Sequence, residues 1–126
     1  MNAQAQARTA YSQHGTPIRT PRGSEYEIFA KITHALRAAA LKGRPGFAAL
    51  ATAIHDNRRL WTLLASDVAD EANKLPKDLR ARIFYLAEFT GAHSAKVLNE
   101  GASVAPLIEI NAMMMRGLRG EQGAAG

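Results

Sequence analysis

Three short interruptions constrain this chain more than anything else in it. "LKGRPG" (Leu41–Gly46), "NKLP" (Asn73–Pro76) and "NEGASVAP" (Asn99–Pro106) each combine residues that end or block a helix. Proline lacks an amide donor and disfavours helix at the residue before it, and glycine favours turn geometries. Between these marks, apolar residues recur at three- and four-residue steps, the period of an α-helix. The breaks therefore divide the chain into four helical lengths with short links, which makes neighbouring helices antiparallel.

The first length is predicted to start at Ser24, which opens the capping-box pattern Ser24-x-x-Glu27, and to run from about Glu25 to Leu41. Tyr26, Phe29, Thr33, Leu36 and Ala40 share one face; Ile28, Ile32, Ala35 and Ala39 widen it, as suits a helix with two neighbours. The second length begins near Phe47 and continues to the "NKLP" break. Its stripe is Phe47, Leu50, Ile54, Trp61, Leu64 and Val68, interrupted by Asn57 and Arg58. The third covers about Lys77 to Leu98, with Leu79, Ile83, Leu86, Thr90, His93 and Val97 in line. Gly91 within it marks a close crossing or a bend.

Ser103 caps the fourth length, and Pro106 falls in its tolerant first turn. Leu107, Ile110, Met114 and Leu118 follow one face, and Gly117 and Gly120 close it. The expected fold class is all-α, a small four-helix (or five-helix) antiparallel bundle. Residues 1–23 are expected to form a flexible basic arm, 24–120 the helical domain, and 121–126 a frayed tail.

Composition agrees with one helical core. The chain has 126 residues, 47% of them apolar and many of those alanine, while aromatics supply only 6%. There is no cysteine, hence no disulfide framework and no thiolate metal site. No apolar run approaches the ~20 residues that span a bilayer, and the N-terminus lacks a secretory signal's apolar centre. A cytoplasmic protein without membrane contact is the expectation.

Chemistry finds little footing. His14, His34, His55 and His93 never pair on one helical turn, so no metal is expected. Nucleotide and nucleophile motifs are missing, and Asp67, Asp70 and Glu71 have no nucleophile or electrophile beside them. The expectation is no enzyme, no cofactor and no small-molecule substrate. The formal charge of +5 admits RNA or an acidic protein as partner. Arg58, Arg59, Lys74, Lys77, Arg80 and Arg82 gather toward the second break, but Trp61, the obvious base-stacking platform, has the spacing of a core residue. In "NAMMMRGL" three consecutive methionines cannot all face one core, since successive residues turn by about 100°. Methionine also suits surfaces that accept varied apolar helices.

"EYEIFAKITHAL", "NRRLWTLLASDVADEANKLPKDLRARIFYLAEFT" and "LIEINAMMMRGLRG" resemble the flagellar biosynthesis regulator FlaF. The similarity runs from about Ala10 to Gly120. Its most specific part is the order Asn57, Leu60, Trp61, Asp67, Asn73, Leu75, Pro76, Leu79, Arg80, followed by Ile110-Asn111 and Gly117-Leu118. The resemblance implies a non-catalytic, cytoplasmic role in flagellin synthesis and export in alphaproteobacteria, as a flagellin-binding regulator or chaperone. It leaves flagellin protein, flagellin mRNA and the second regulator FlbT all open as the direct partner. The wide apolar faces of the first and fourth helices suggest Phe29, Ile32, Met113, Met114 and Leu118 as contacts for an apolar helix of that partner. The motif residues from Asn57 to Arg80 are read as fixing the hairpin between the second and third helices.

Overall fold

A computed structural model describes residues 21–125, and side chains from 25 to 118. Four helices follow one another: α1 (Pro21–Leu41), α2 (Phe47–Ala69), α3 (Lys77–Glu100) and α4 (Ala105–Ala125), with one 3-10 turn at Arg44–Gly46. No strand occurs among the described residues. The expected all-α bundle is the observed fold. The basic arm, apart from its last residues, lies outside the described residues.

The start of α1 differs from expectation. Pro21 opens the helix three residues before Ser24, so Ser24 lies inside it and is not its cap. A proline in the first turn loses nothing, because amides there have no intrahelical partner. At the other end of the chain, α4 passes through Gly117 and Gly120 to Ala125, so the stretch expected to fray is helical as far as that residue.

α2 stops at Ala69, well before the "NKLP" break that was expected to end it. The reason is local. Asp70 turns to extended backbone, with φ −75° and ψ 130°. Its carboxylate accepts the Ala72 amide at 2.8 Å, and Asn73 Oδ1 accepts the Leu75 amide at 3.0 Å. Short polar side chains that bond nearby amides offer the backbone an alternative to the helical ladder. α3 ends as predicted at glycine: Gly101 takes φ +72°, and the Ala102 amide donates back to the Lys96 carbonyl at 3.2 Å. Ser103 Oγ accepts the Ala105 amide at 3.1 Å as α4 begins.

Each helix packs on its neighbours in chain order, α1 on α2 and α2 on α3, and α4 returns against α1. The core has two storeys. The lower joins Phe29, Leu60, Trp61, Leu64, Val68, Ile83 and Leu118; the upper joins Leu36, Ala53, Ile54, Val97, Val104 and Leu107. Phe29 meets Trp61 edge-to-face, with centroids 5.8 Å apart. Early α1 residues thus share a storey with late α4 residues, so these two helices are antiparallel as well.

Between the storeys every helix contributes a buried polar residue: Thr33, Asn57, Thr90 with Ser94, and Asn111. Asn57 therefore does not interrupt the buried stripe of α2; it belongs to it. Gly91 marks no close crossing, since a Cβ there would meet nothing within 4 Å.

Candidate functional site

Of the motif residues expected to fix the α2–α3 hairpin, Asp67, Asn73 and Arg80 do so by hydrogen bonds, whereas Asn57 and Trp61 bond Asn111 of α4 instead. Arg80 reaches back from α3 to the end of α2, where carbonyls lack helical partners. Its Nε donates to the Val68 carbonyl and its Nη2 to the Asp70 carbonyl, both at 2.8 Å. The guanidinium also brings positive charge to the negative end of the helix dipole. Pro76, just ahead of α3, accepts the Arg80 amide through its carbonyl at 3.0 Å. Leu75 packs half-buried against the lower storey, which closes the turn from below.

Asp67 is buried in this hairpin and takes a hydrogen bond from Asn73 Nδ2 at 3.0 Å. Burial pushes its carboxyl up from 3.8 to about 6; the negative charge of Asp70 adds to the rise, while the Asn73 bond and Arg80 oppose it. Desolvation wins because one neutral donor replaces little of the lost water.

Higher in the bundle, Trp61 Nε1 donates to Asn111 Oδ1 at 2.9 Å, and Asn111 Nδ2 donates to Asn57 Oδ1 at 2.8 Å. This relay ties α2 to α4 across the core and sets their relative height, since a slide of one residue would break both bonds. Asn57 Nδ2 and the hydroxyls of Thr33, Thr90 and Ser94 are buried there without a partner. Such groups each cost about 1–3 kcal/mol. The polar layer therefore specifies alignment at the expense of stability.

An open cleft of about 350 Å³ runs along the outside of α1 and α2. Ile28, Ile32, Ala35, Ala53, Leu60 and Leu63 line it, with Lys31, Arg59 and Asp56 also on its walls. A second cleft, of about 400 Å³, lies on the α3 side of the same helix and shares Arg59 and Leu63. Leu63 is thus an exposed apolar ridge between two hollows.

The expected partner contacts are separated by the structure. Phe29 and Leu118 are sealed in the lower core. They belong to the helix faces turned inward, so the set loses both as surface contacts. Ile32 reaches the cleft, but the other wall is α2 rather than the expected α4. Met113 is 51% exposed on α4, and Met114 is half-buried against the lower storey.

Sequence reasoning missed Ile28 and Leu63 as cleft residues and Asn111 as the centre of the amide relay. For Asn111 a signal existed: an amide four residues after Leu107, on an otherwise apolar stripe. For Leu63 the sequence gives only an apolar residue off the main stripe. His93 is half-buried, stacked on Phe89 with centroids 5.5 Å apart, and bonded through Nε2 to the Ser103 carbonyl at 2.7 Å. Among the described residues no group of three or more His, Cys, Asp or Glu side chains is placed to hold a metal, and no helix is long and apolar enough to cross a membrane.

Fold and site together define a small antiparallel helical bundle with an amide-aligned core and an apolar cleft on its flank. A family model described as flagellar protein FlaF matches residues 7–118. The chain belongs to the FlaF family, whose role is in flagellar biogenesis. No curated protein and no solved structure matches it.

Proposed function

We propose that this protein is a cytoplasmic, non-catalytic flagellin-binding chaperone and regulator, and that the α1–α2 cleft takes an apolar helical segment of an unassembled flagellin subunit. The carrying observation is the cleft itself: Ile28, Ile32 and Leu63 give it an apolar lining open to solvent, with buried Leu60 at its floor. Flagellin's terminal helices bury their apolar faces only on assembly. A groove that reads anchors at helical spacing covers such a face until then. Lys31 and Arg59 favour a segment with acids beside its apolar stripe. Covering the segment prevents premature polymerisation, and removal of free flagellin carries the effect on synthesis.

The geometry gives less support to direct contact with flagellin mRNA. Trp61 is only 1% exposed, so it offers no face for base stacking, and Arg80 is engaged by two carbonyls. An adaptor role through a FlbT-type regulator would use the same kind of apolar surface and differs only in partner.

Purified protein mixed with flagellin on a sizing column tests the reading. Co-elution is expected, and Ile32→Asp with Leu63→Asp should abolish it while helical circular dichroism is retained. Co-elution that survives both substitutions would place the contact elsewhere. A strong, salt-sensitive shift of flagellin leader RNA without flagellin binding would favour the RNA reading instead.

A further inference from the structure

Small proteins draw large apolar side chains inward, yet the α1–α2 turn holds two of them in water. Leu41 is 89% exposed and Phe47 is 52% exposed, one on each side of the link. Phe47 was expected at the head of the buried stripe of α2; the structure puts it outside, because the tight turn leaves no neighbour above it.

The backbone of the turn is held tightly. Gly43 takes φ +64°, a conformation that side-chain-bearing residues rarely adopt. Pro45 fixes the backbone of the 3-10 turn. Gly46 is packed so closely that a Cβ would lie 2.6 Å from the Ala39 carbonyl oxygen. A constrained link therefore joins two exposed apolar residues, Leu41 and Phe47.

The chain on both sides of this turn carries one sign of charge. Arg37, Lys42 and Arg44 are exposed around the turn, and no Asp or Glu occurs from residue 28 to residue 55. The other connection at this end, 101–104, follows Lys96 and Glu100, which bear opposite charges. The clefts lie elsewhere: none of their lining residues falls between 36 and 50.

A projecting tip suits one kind of surface better than another. A specific protein interface buries roughly 800 Å² on each partner and seats its anchors in pockets. Two side chains on a narrow turn fall short of that area. A lipid surface has no such requirement: apolar tips sink to the boundary between headgroups and acyl chains while Lys and Arg reach the phosphates. We propose that the α1–α2 turn is a peripheral anchor for an anionic lipid bilayer, with Leu41 and Phe47 inserted and Arg37, Lys42 and Arg44 held at lipid phosphates. The absence of a membrane partner was expected from spanning length alone, and a peripheral contact needs no spanning helix. So small an anchor is reversible. It also leaves the α1–α2 cleft free, so it stands whether or not flagellin is the cleft's ligand.

The test is sedimentation of the full chain with vesicles of phosphatidylcholine, with and without phosphatidylglycerol. The protein should pellet with the anionic vesicles and not with the neutral ones, and less so as salt is raised. Leu41→Ser with Phe47→Ser should lower partitioning by about tenfold. Lys42→Glu with Arg44→Glu should do likewise, and both double variants should keep the helical circular dichroism and thermal midpoint of wild type. Three outcomes would overturn the proposal. Wild-type protein could stay in the supernatant with anionic vesicles, or the Leu41, Phe47 variant could pellet as well as wild type. The third is a tip that ignores vesicles but binds poly-glutamate in a manner lost with Leu41 and Phe47, which would assign it to an acidic protein.

Discussion

Two of the bundle's three turns solve one problem by opposite means. The α2–α3 turn is held by side chains: Asp70 and Asn73 accept amides of the turn, Arg80 donates to the Val68 and Asp70 carbonyls, and Asp67 accepts from the Asn73 side chain. The α1–α2 turn is held by backbone conformation: left-handed Gly43, constrained Pro45 and tightly packed Gly46, with no side-chain cap. A turn fixed by its side chains commits Asp67, Asn73 and Arg80 to the fold. A turn fixed by its backbone leaves its side chains free, and here they are apolar and cationic. The difference locates structural duty at one end of the molecule and available surface at the other.

The sharpest way to break the comparison is at Arg80. Arg80→Met removes both guanidinium bonds, so the Val68 carbonyl loses its side-chain donor and the Asp70 carbonyl keeps only the Asn73 amide. The expected loss is about 3 kcal/mol, read by chemical denaturation. Arg80→Lys should recover little of it, because a single ammonium lacks the planar fork that serves two carbonyls at once. An Arg80→Met protein as stable as wild type would mean that the polar hairpin is ornamental to the fold.

Gly46 offers the matching break at the other turn. A methyl group there meets the Ala39 carbonyl oxygen and the Lys42 Cβ, both 2.6 Å away. Neither can move without unwinding the end of α1, so Gly46→Ala should cost about 2 kcal/mol, in the range of overpacking. At Gly91, where a Cβ meets nothing within 4 Å, the same substitution should instead stabilise α3 by up to about 1 kcal/mol through helix propensity. Thermal melts of the two variants should move in opposite directions.

These contrasts also show how far the sequence was legible. Helical period and punctuation suffice for four helices and for core residues such as Leu36, Ile54, Trp61, Leu64, Ile83 and Val97, because both signals are local. The early stop of α2 was hidden. Asp70 and Asn73 are compatible with a helix until their side chains capture backbone amides, which depends on the turn they help to make. The same limit applies to Phe29 and Leu118. A broad apolar face shows that something covers it, and only the packing of α1 against α4 shows that the cover is internal. The Asn57–Asn111 bond joins positions 54 residues apart, a distance at which periodicity carries no information.

Acid sharpens the comparison, because the α2–α3 hairpin holds a buried carboxyl with a displaced titration. Asp67 binds its proton at about pH 6 in the fold and near 3.8 when exposed. The folded state thus holds the extra proton between those values, and stability rises as pH falls through 6 toward 4. From pH 7 to pH 5 the gain should be about 1 kcal/mol. Asp67→Asn keeps an oxygen to accept from Asn73 and removes the ionisation. The difference between wild type and this variant, measured across that interval, isolates Asp67 from every group that the two proteins share. A difference that does not change with pH would show that the carboxyl is better solvated than its burial implies.

The smallest effect is expected where the exposed apolar surface is largest. If Leu41 and Phe47 serve the fold, replacing them with serine should destabilise it like any loss of core, by about 2–5 kcal/mol each. If they serve a surface outside the chain, the folded and unfolded states expose them almost alike, and each substitution should change stability by no more than about 0.5 kcal/mol. Leu36, in the same helix and fully buried, supplies the control: Leu36→Ala should fall in the larger range. Denaturation of the three variants side by side therefore separates a turn that supports the bundle from one that the bundle supports. A neutral result at Leu41 and Phe47 beside a large one at Leu36 is the pattern that an anchor requires, because selection for stability alone gives no reason to keep leucine and phenylalanine in water.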